Sequence, residues 1–286
     1  MIFSKYHFLQ KMSRTIMAVL ASSWKGQTKI GTHNAPDIIY RELYKNNLLP
    51  NLQVPYKKFV DQMSGLQTLY QANNFLMKHR HLPLNIGGDH SISGATLAAS
   101  LENYDADLRV IWVDAHADIN TYDSSPSGNI HGMPVASAMQ LFDPWIKIDQ
   151  KLKPKQIMYI GLRDIDDFEK EFITSHGILN YTVKEIDHIG IDKFLGILAN
   201  FIQDKKVHYS FDIDVLDPVL AASTGTPVPK GFYADEIYKI QKCITQNSTL
   251  VNCDFVEYNP EIGSVLDNQI SLDSITKVIQ NLIDVY

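Results

Sequence analysis

Residues 110–120, VIWVDAHADIN, open as four apolar residues and then turn at once into Asp114-Ala-His116-Ala-Asp118. An apolar run of this length, closed by polar residues, reads as a strand buried on both faces. Strands of that kind belong to parallel sheets covered by helices. The polar residues at its end pose a question of function. They are either a metal site or a polar loop that happens to follow a strand.

Working outward, the same alternation recurs along the chain. Candidate strands lie at 16–21, 84–86, 110–113, 157–160, 207–211 and 250–256. Between them, Val60, Met63, Leu66, Leu69, Leu76 and Met77 keep helical spacing on one long segment. Phe194, Leu198, Phe201 and Ile202 do so on a shorter one, and Ile275, Ile279, Leu282 and Ile283 near the end. Strands alternating with helices predict an α/β fold whose parallel sheet is covered on both faces. Neither a repeat nor a linker interrupts the pattern. Residues 13–286 therefore read as a single domain, with residues 1–12 an extension and Met12 an alternative start. The apolar stretch Ile16–Ala21 is too short to span a bilayer, so it reads as the first core strand.

Composition narrows the function classes. A hydrophobic share of 45% and a charged share of 20% suit a water-soluble globular chain with no membrane segment. The formal charge of -6 leaves no basic footprint for nucleic acid. Cys243 and Cys253 are the two cysteines, too few for a disulfide framework and in keeping with a reducing, cytoplasmic setting.

Polar clusters follow five of the candidate strands: Gly87-Gly88-Asp89-His90-Ser91, Asp114 to Asp118, Arg163 to Asp166, Asp212-Ile-Asp214, and Glu257 to Pro260. In an open parallel sheet, ligands bind beyond the carboxyl ends of the strands, so these groups converge on one edge. Asp114, Asp118, Asp212 and Asp214 brought together repel one another unless cations neutralise them. With His90 and His116 they suffice to hold two divalent ions, and mixed oxygen and imidazole ligation suits manganese better than a thiolate-seeking metal. Such a pair generates hydroxide at neutral pH. Taken singly, each motif has a blander reading. Asp212-Ile-Asp214 could be a strand-ending turn, Ser91 could cap a helix through Ala95 and Leu97, His131 could be structural, and Glu257 a surface acid. One metal site explains them together.

The motifs GGDHS, DAHADIN, SGNIHG, SFDIDVLDP with TGTP, and EYNP occur in the order and approximate spacing of the ureohydrolases. The chain resembles that family over nearly its whole length, and within it the arginases more than the agmatinases. The resemblance implies a three-layer α/β/α fold with a central, mainly parallel sheet and two Mn²⁺ per chain. It implies that His90 and Asp118 ligate one ion and His116 and Asp214 the other, with Asp114 and Asp212 bridging. Glu257 would receive the guanidinium, and Thr226 lies in the matching active-site loop. Asn120 and Ser127 would recognise the α-carboxylate and Asp166 the α-amino group, while His131 would transfer protons. The implied reaction is hydrolysis of L-arginine to L-ornithine and urea by a metal-bridging hydroxide, with an Asp such as Asp118, or His131, supplying the proton for the leaving amine. A homo-oligomer, trimer or hexamer, is also implied. Ala117, Val215 and the loop WKGQTKIGTHNAP depart from the common arginase pattern, but no ligand position is lost. The rival readings are an agmatinase or another guanidino-compound hydrolase, a two-metal phosphoesterase, and a non-catalytic descendant.

Overall fold

The computed structural model describes residues 15–23, 25–45 and 62–286. The proposed extension at 1–12, and Val60, lie outside them. Seven strands form one sheet: β1 (Ile16–Ala21), β2 (Leu82–Gly87), β3 (Leu108–Val113), β4 (Ile157–Ile160), β5 (Leu179–Tyr181), β6 (Lys206–Asp212) and β7 (Thr249–Val256). Their order is β1-β2-β7-β6-β3-β4-β5, and every neighbouring pair is parallel. All six expected strands are present, four of them a residue or more longer. β5 is an addition at the sheet edge.

Helices cover both faces. On one face lie α1 (Ala35–Lys45), α6 (Val183–Ile189), α7 (Ile191–Ile202), α8 (Ala234–Asn247) and α9 (Val265–Val285), packed on Ile111, Val113, Tyr209, Phe211 and Phe255. On the other lie α2 (Gln62–Lys78), α3 (Ser93–Tyr104), α4 (Pro134–Met139) and α5 (Asp167–Ser175). Alternation along β3 sends Val110 and Trp112 to the second face and Ile111 and Val113 to the first, as the two-residue period of a strand requires. Three layers result, as the sequence resemblance implies. Among the described residues no helix is long and apolar enough to cross a membrane.

The second face carries a polar seam at the sheet centre. Asn85, Asn252, Asp254 and His208 are all fully buried there. Asn85 donates to Asn252 Oδ1 and Asp254 Oδ1, Ser93 and Thr96 of α3 donate to Asp254 Oδ2, and His208 lies 3.0 Å from that oxygen. Paired in this way, buried polar groups cost little and fix geometry. Their effect is to clamp the start of α3, and with it His90, onto the sheet.

The order of strands makes the site. The chain leaves β2 through α3, passes over the places later filled by β7 and β6, and resumes at β3. The strand ends of β2, β7, β6 and β3 therefore surround one crevice, where the direction of winding changes.

Candidate metal centre and substrate cleft

After β2 the chain turns sharply past the strand β1 exit. A Cβ on Gly88 would sit 1.7 Å from the Ser23 carbonyl oxygen, so only glycine fits. Asp89 then caps the short 3-10 turn His90–Ile92, its Oδ1 accepting from Ser91 N. The expected cap at Ser91 is thus supplied two residues earlier, because the helix begins with a 3-10 turn rather than directly with α3. Asp89 Oδ2 also accepts from Gly26 N and Ser23 Oγ, which pins the loop after β1 against the site.

The two Asp-x-Asp/His motifs use the same device. Asp114 Oδ1 accepts from His116 N at 2.7 Å, and Asp212 Oδ1 accepts from Asp214 N at 2.9 Å. Each is a turn in which the side chain holds the backbone two residues on. One oxygen is thereby occupied and the other is aimed inward, where Asp114 Oδ2 also accepts from Trp112 Nε1 at 3.0 Å. Asp114 Oδ2 lies 3.1 Å and Asp212 Oδ2 3.2 Å from His90 Nδ1, with Asp118 Oδ2 at 3.0 Å. The bland reading of these motifs as strand-ending turns and the metal reading describe one structure.

His90 is oriented from behind. Its Nε2 pairs with Ser210 Oγ at 2.8 Å, and its ring stacks on Trp112 with centroids 4.2 Å apart. Nδ1 is buried and has no hydrogen-bond partner of proper geometry, although three carboxylate oxygens lie within 3.2 Å. Around an octahedral ion with bonds of about 2.1 Å, neighbouring donor atoms lie about 3 Å apart. The donor set therefore fits a hard divalent cation held by oxygen and imidazole. A second group joins it: His116 Nδ1 lies 3.1 Å from Asp214 Oδ2 and 3.5 Å from Asp114 Oδ1. Asp114 belongs to both groups of potential ligands. Asp212 reaches the first through His90. All six sequence-predicted ligands are thus brought together.

Electrostatics make the same point. Burial disfavours charge on His90, yet Asp114, Asp118 and Asp212 draw its pKa well above the usual imidazole value. Burial and the neighbouring Asp114 push Asp118 up to about 6. Burial together with Asp214 and Asp114 pushes Asp212 far above the carboxylate range. Without cations the cluster must take up protons, and bound metal would displace them. Asp118 and Glu257 also adopt left-handed backbone, φ +52° and +68°, a strain that non-glycine residues hold where surrounding structure enforces it.

Beside the cluster lies a cleft of about 240 Å³ lined by His116, Asp118, Asp212, Asp214, Thr226, His131, Asn120, Ser127 and Asp166. Thr226 Oγ1 donates to Asp214 Oδ2 at 3.2 Å. At the outer end, Asn120 Nδ2 donates to Asp166 Oδ2 at 2.7 Å and leaves its second N–H unused, while Ser127 is exposed. Glu257 is buried and is not part of the cleft wall. Its Oε1 accepts from His90 N at 2.8 Å and pairs with His131 Nδ1 at 3.1 Å, and its Oε2 accepts from Gln27 Nε2 at 2.6 Å. Burial opposes charge on His131, but Glu257 carries its pKa to about 9.

Several residues escaped the sequence reading. Glu169 reaches the cleft from α5, accepting from Ile119 N and Asp166 N, and burial raises its pKa to about 7. Its signal was available, since an Asp followed three residues later by Glu marks a helix start. Asp164, read from the sequence as part of the 163–166 cluster but given no role, also lines the cleft, 3.7 Å from His116 Nε2. Gln27 carries no signal of its own. Val215, a departure from the arginase pattern, packs over Gly161, whose φ of +103° and missing Cβ make the space.

Comparison with known proteins gives a consistent result. Over 202 residues the chain is 43% identical to an arginase of Neurospora crassa, in an alignment covering 66% of this chain and 56% of that one. The match thus spans less than two thirds of that relative. The crystal structure of arginase from Bacillus subtilis superposes with a TM-score of 0.85 at 29% identity, covering 95% of this chain and 98% of that one. Arginase from Entamoeba histolytica, solved in complex with L-ornithine, gives 0.82 at 29% identity, covering 94% and 98%. Residues 16–283 match the Arginase family, and the chain belongs to that family.

Proposed function

We propose that the chain hydrolyses L-arginine to L-ornithine and urea and binds two manganese ions, through the six Asp and His side chains, to do so. The observation that carries this reading is the adjoining of two chemistries. A cluster of four carboxylates and two imidazoles opens into a cleft lined by further acids and, among the described residues, by no lysine or arginine. That cleft favours a cationic substrate and disfavours a phosphoester, which needs basic partners. The bound L-ornithine of the Entamoeba histolytica enzyme supports a small amino acid.

When bound, the ion pair would supply hydroxide at neutral pH for attack on the guanidinium carbon. The chain's own residues do the rest. Glu257, buried behind the cleft wall beside His131, takes the planar guanidinium only by exchanging its pairs with His131 and Gln27 for paired hydrogen bonds to the substrate. The unused N–H of Asn120 and the hydroxyl of Ser127 hold the α-carboxylate, Asp166 holds the α-amino group, and Thr226 steadies Asp214. As the C–N bond breaks, the leaving amine needs a proton, which His131 or Asp118 delivers.

The runner-up is agmatinase or another guanidino-compound hydrolase, with the same cluster and a different outer pocket. Urea release from arginine and from agmatine, with and without added manganese, separates these. The expected outcome is manganese-dependent release with arginine strongly preferred. A site that hydrogen-bonds a polar group can reject the analogue lacking it by about 10⁴, although solvent at the open end lowers that ceiling. Preference for agmatine would assign the chain to the runner-up, and no urea from either substrate would overturn the hydrolase reading.

A further inference from the structure

Arg163 follows β4 and is not itself a candidate ligand, yet it meets three of the loops that build the metal cluster. Its Nη2 donates to Asp214 O at 2.6 Å, Val228 O at 2.8 Å and Leu216 O at 3.3 Å. Its Nε donates to Pro229 O at 3.2 Å, and its Nη1 to Gly161 O at 3.2 Å. Its backbone N–H donates to Ala115 O at 2.9 Å. Ala115 N in turn donates to Asp214 Oδ1 at 3.3 Å. Arg163, Asp214 and Ala115 thus close a ring of hydrogen bonds, and Ala115 sits between Asp114 and His116. The Val228 and Pro229 contacts also tether the loop of Thr226, which donates to Asp214 Oδ2.

The other half of the cluster is held differently. His90 is fixed by Ser210, Trp112 and the polar seam under α3, and no Arg163 contact reaches it. A guanidinium presents five N–H groups in a planar fork, which an ammonium cannot reproduce on carbonyls spread over three loops.

We propose that the Arg163 side chain is a positioning residue for one half of the centre: it holds the Asp214 turn and the Thr226 loop beside it, and so sets the affinity for the second ion, the one that His116 and Asp214 would hold. The proposal rests on the binuclear reading above. Its test is stepwise Mn²⁺ titration of the metal-free chain, read by the spin-resonance signal of free Mn²⁺. Wild type, Arg163→Lys and Arg163→Gln are compared, and their metal-free melting temperatures are measured alongside. Wild type should take up two ions. Both variants should bind the first within about threefold of wild type and the second roughly 10- to 100-fold more weakly, the range for residues that orient ligands. Excess manganese should restore turnover with an unchanged KM for arginine. Equal weakening of both ions, unchanged binding of both, or an Arg163→Lys chain that fails to fold would each overturn the proposal while leaving the binuclear reading intact. A wild-type chain that binds one ion would overturn that reading, and this proposal with it.

Discussion

The floor and the rim of the cleft are built on different terms. On the floor, His90, Asp114, Asp212 and Asp214 are buried, and each is held by a second hydrogen bond: Ser210 behind His90, the His116 and Asp214 amides on the two turn aspartates, and the Ala115 amide on Asp214. On the rim, Ser127 is exposed and bonded within its own loop, to Ser125 and Asn129, and Asp166 is half-buried and accepts from Asn120 of a neighbouring loop. A buried, cross-braced group cannot relax when its neighbour is removed, whereas an exposed one has water as a substitute. The floor should therefore carry the chemistry and the rim the choice of substrate, with effects of very different size.

The largest effect tests the floor directly. Asp114 belongs to both ligand groups, so Asp114→Asn should lose both ions and reduce urea release to background, because a neutral amide cannot offset two cations. Elemental analysis should read two manganese per wild-type chain and none per variant. An active preparation with a single tightly held metal would break the binuclear floor.

Next comes His131, which stands between the two regions, partly exposed yet paired with buried Glu257. His131→Ala should keep its ions and lose about 10²–10⁴ in kcat, the usual worth of a positioned proton donor. Burial would lower its pKa, but Glu257 holds it up at about 9, so the proton is present at neutral pH and lost above that value. Bound cations shift this point downward. The ratio of wild-type to variant kcat/KM, which reports the substrate-free enzyme, should accordingly fall as pH rises toward and through 9. A ratio that grows with pH would assign His131 to another role.

The difference between floor and rim also explains what the sequence made legible. The candidate ligands could be read because each follows a strand end and each turn is local: Asp and the residue two positions on. The strands around them were readable for the same reason, as runs of apolar residues. β5 was not, because Leu179-Asn-Tyr181 is three residues long, lies at the edge and is only partly buried. Asn85, Asn252 and His208 were hidden because their partners come from three separate elements, and polar residues inside a strand give no local cue. Arg163 stood in plain view within YIGLRDID, but its partners are backbone carbonyls, which no residue type marks.

A smaller effect belongs to Asp166. It accepts from Asn120 and, on the proposed reading, would offer the α-amino group an acceptor. A hydrogen bond to a charged group is worth about 1.5–3 kcal/mol, roughly 10- to 100-fold in affinity, and its half-buried position favours the lower end. Asp166→Ala should raise KM for arginine about tenfold with both ions retained. Loss of metal in this variant would mean that floor and rim are one unit.

Ser127 supplies the smallest effect and the sharpest test of the comparison. Its hydroxyl accepts from Asn129 N at 3.2 Å and lies 3.4 Å from Ser125 Oγ, all on an exposed loop. In Ser127→Ala a water molecule can take the place of the hydroxyl toward the α-carboxylate, at little cost. KM for arginine should then rise by only about two- to threefold, well under the full worth of a neutral hydrogen bond, and kcat should not move. Steady-state kinetics on arginine and agmatine reads both numbers, and agmatine, which has no carboxylate for Ser127 to meet, should show no change at all. A rise above about 30-fold would require the loop to be as rigid as the floor, held in place by something other than its own serines. A parallel loss on agmatine would show that Ser127 shapes the loop rather than the ligand's carboxylate.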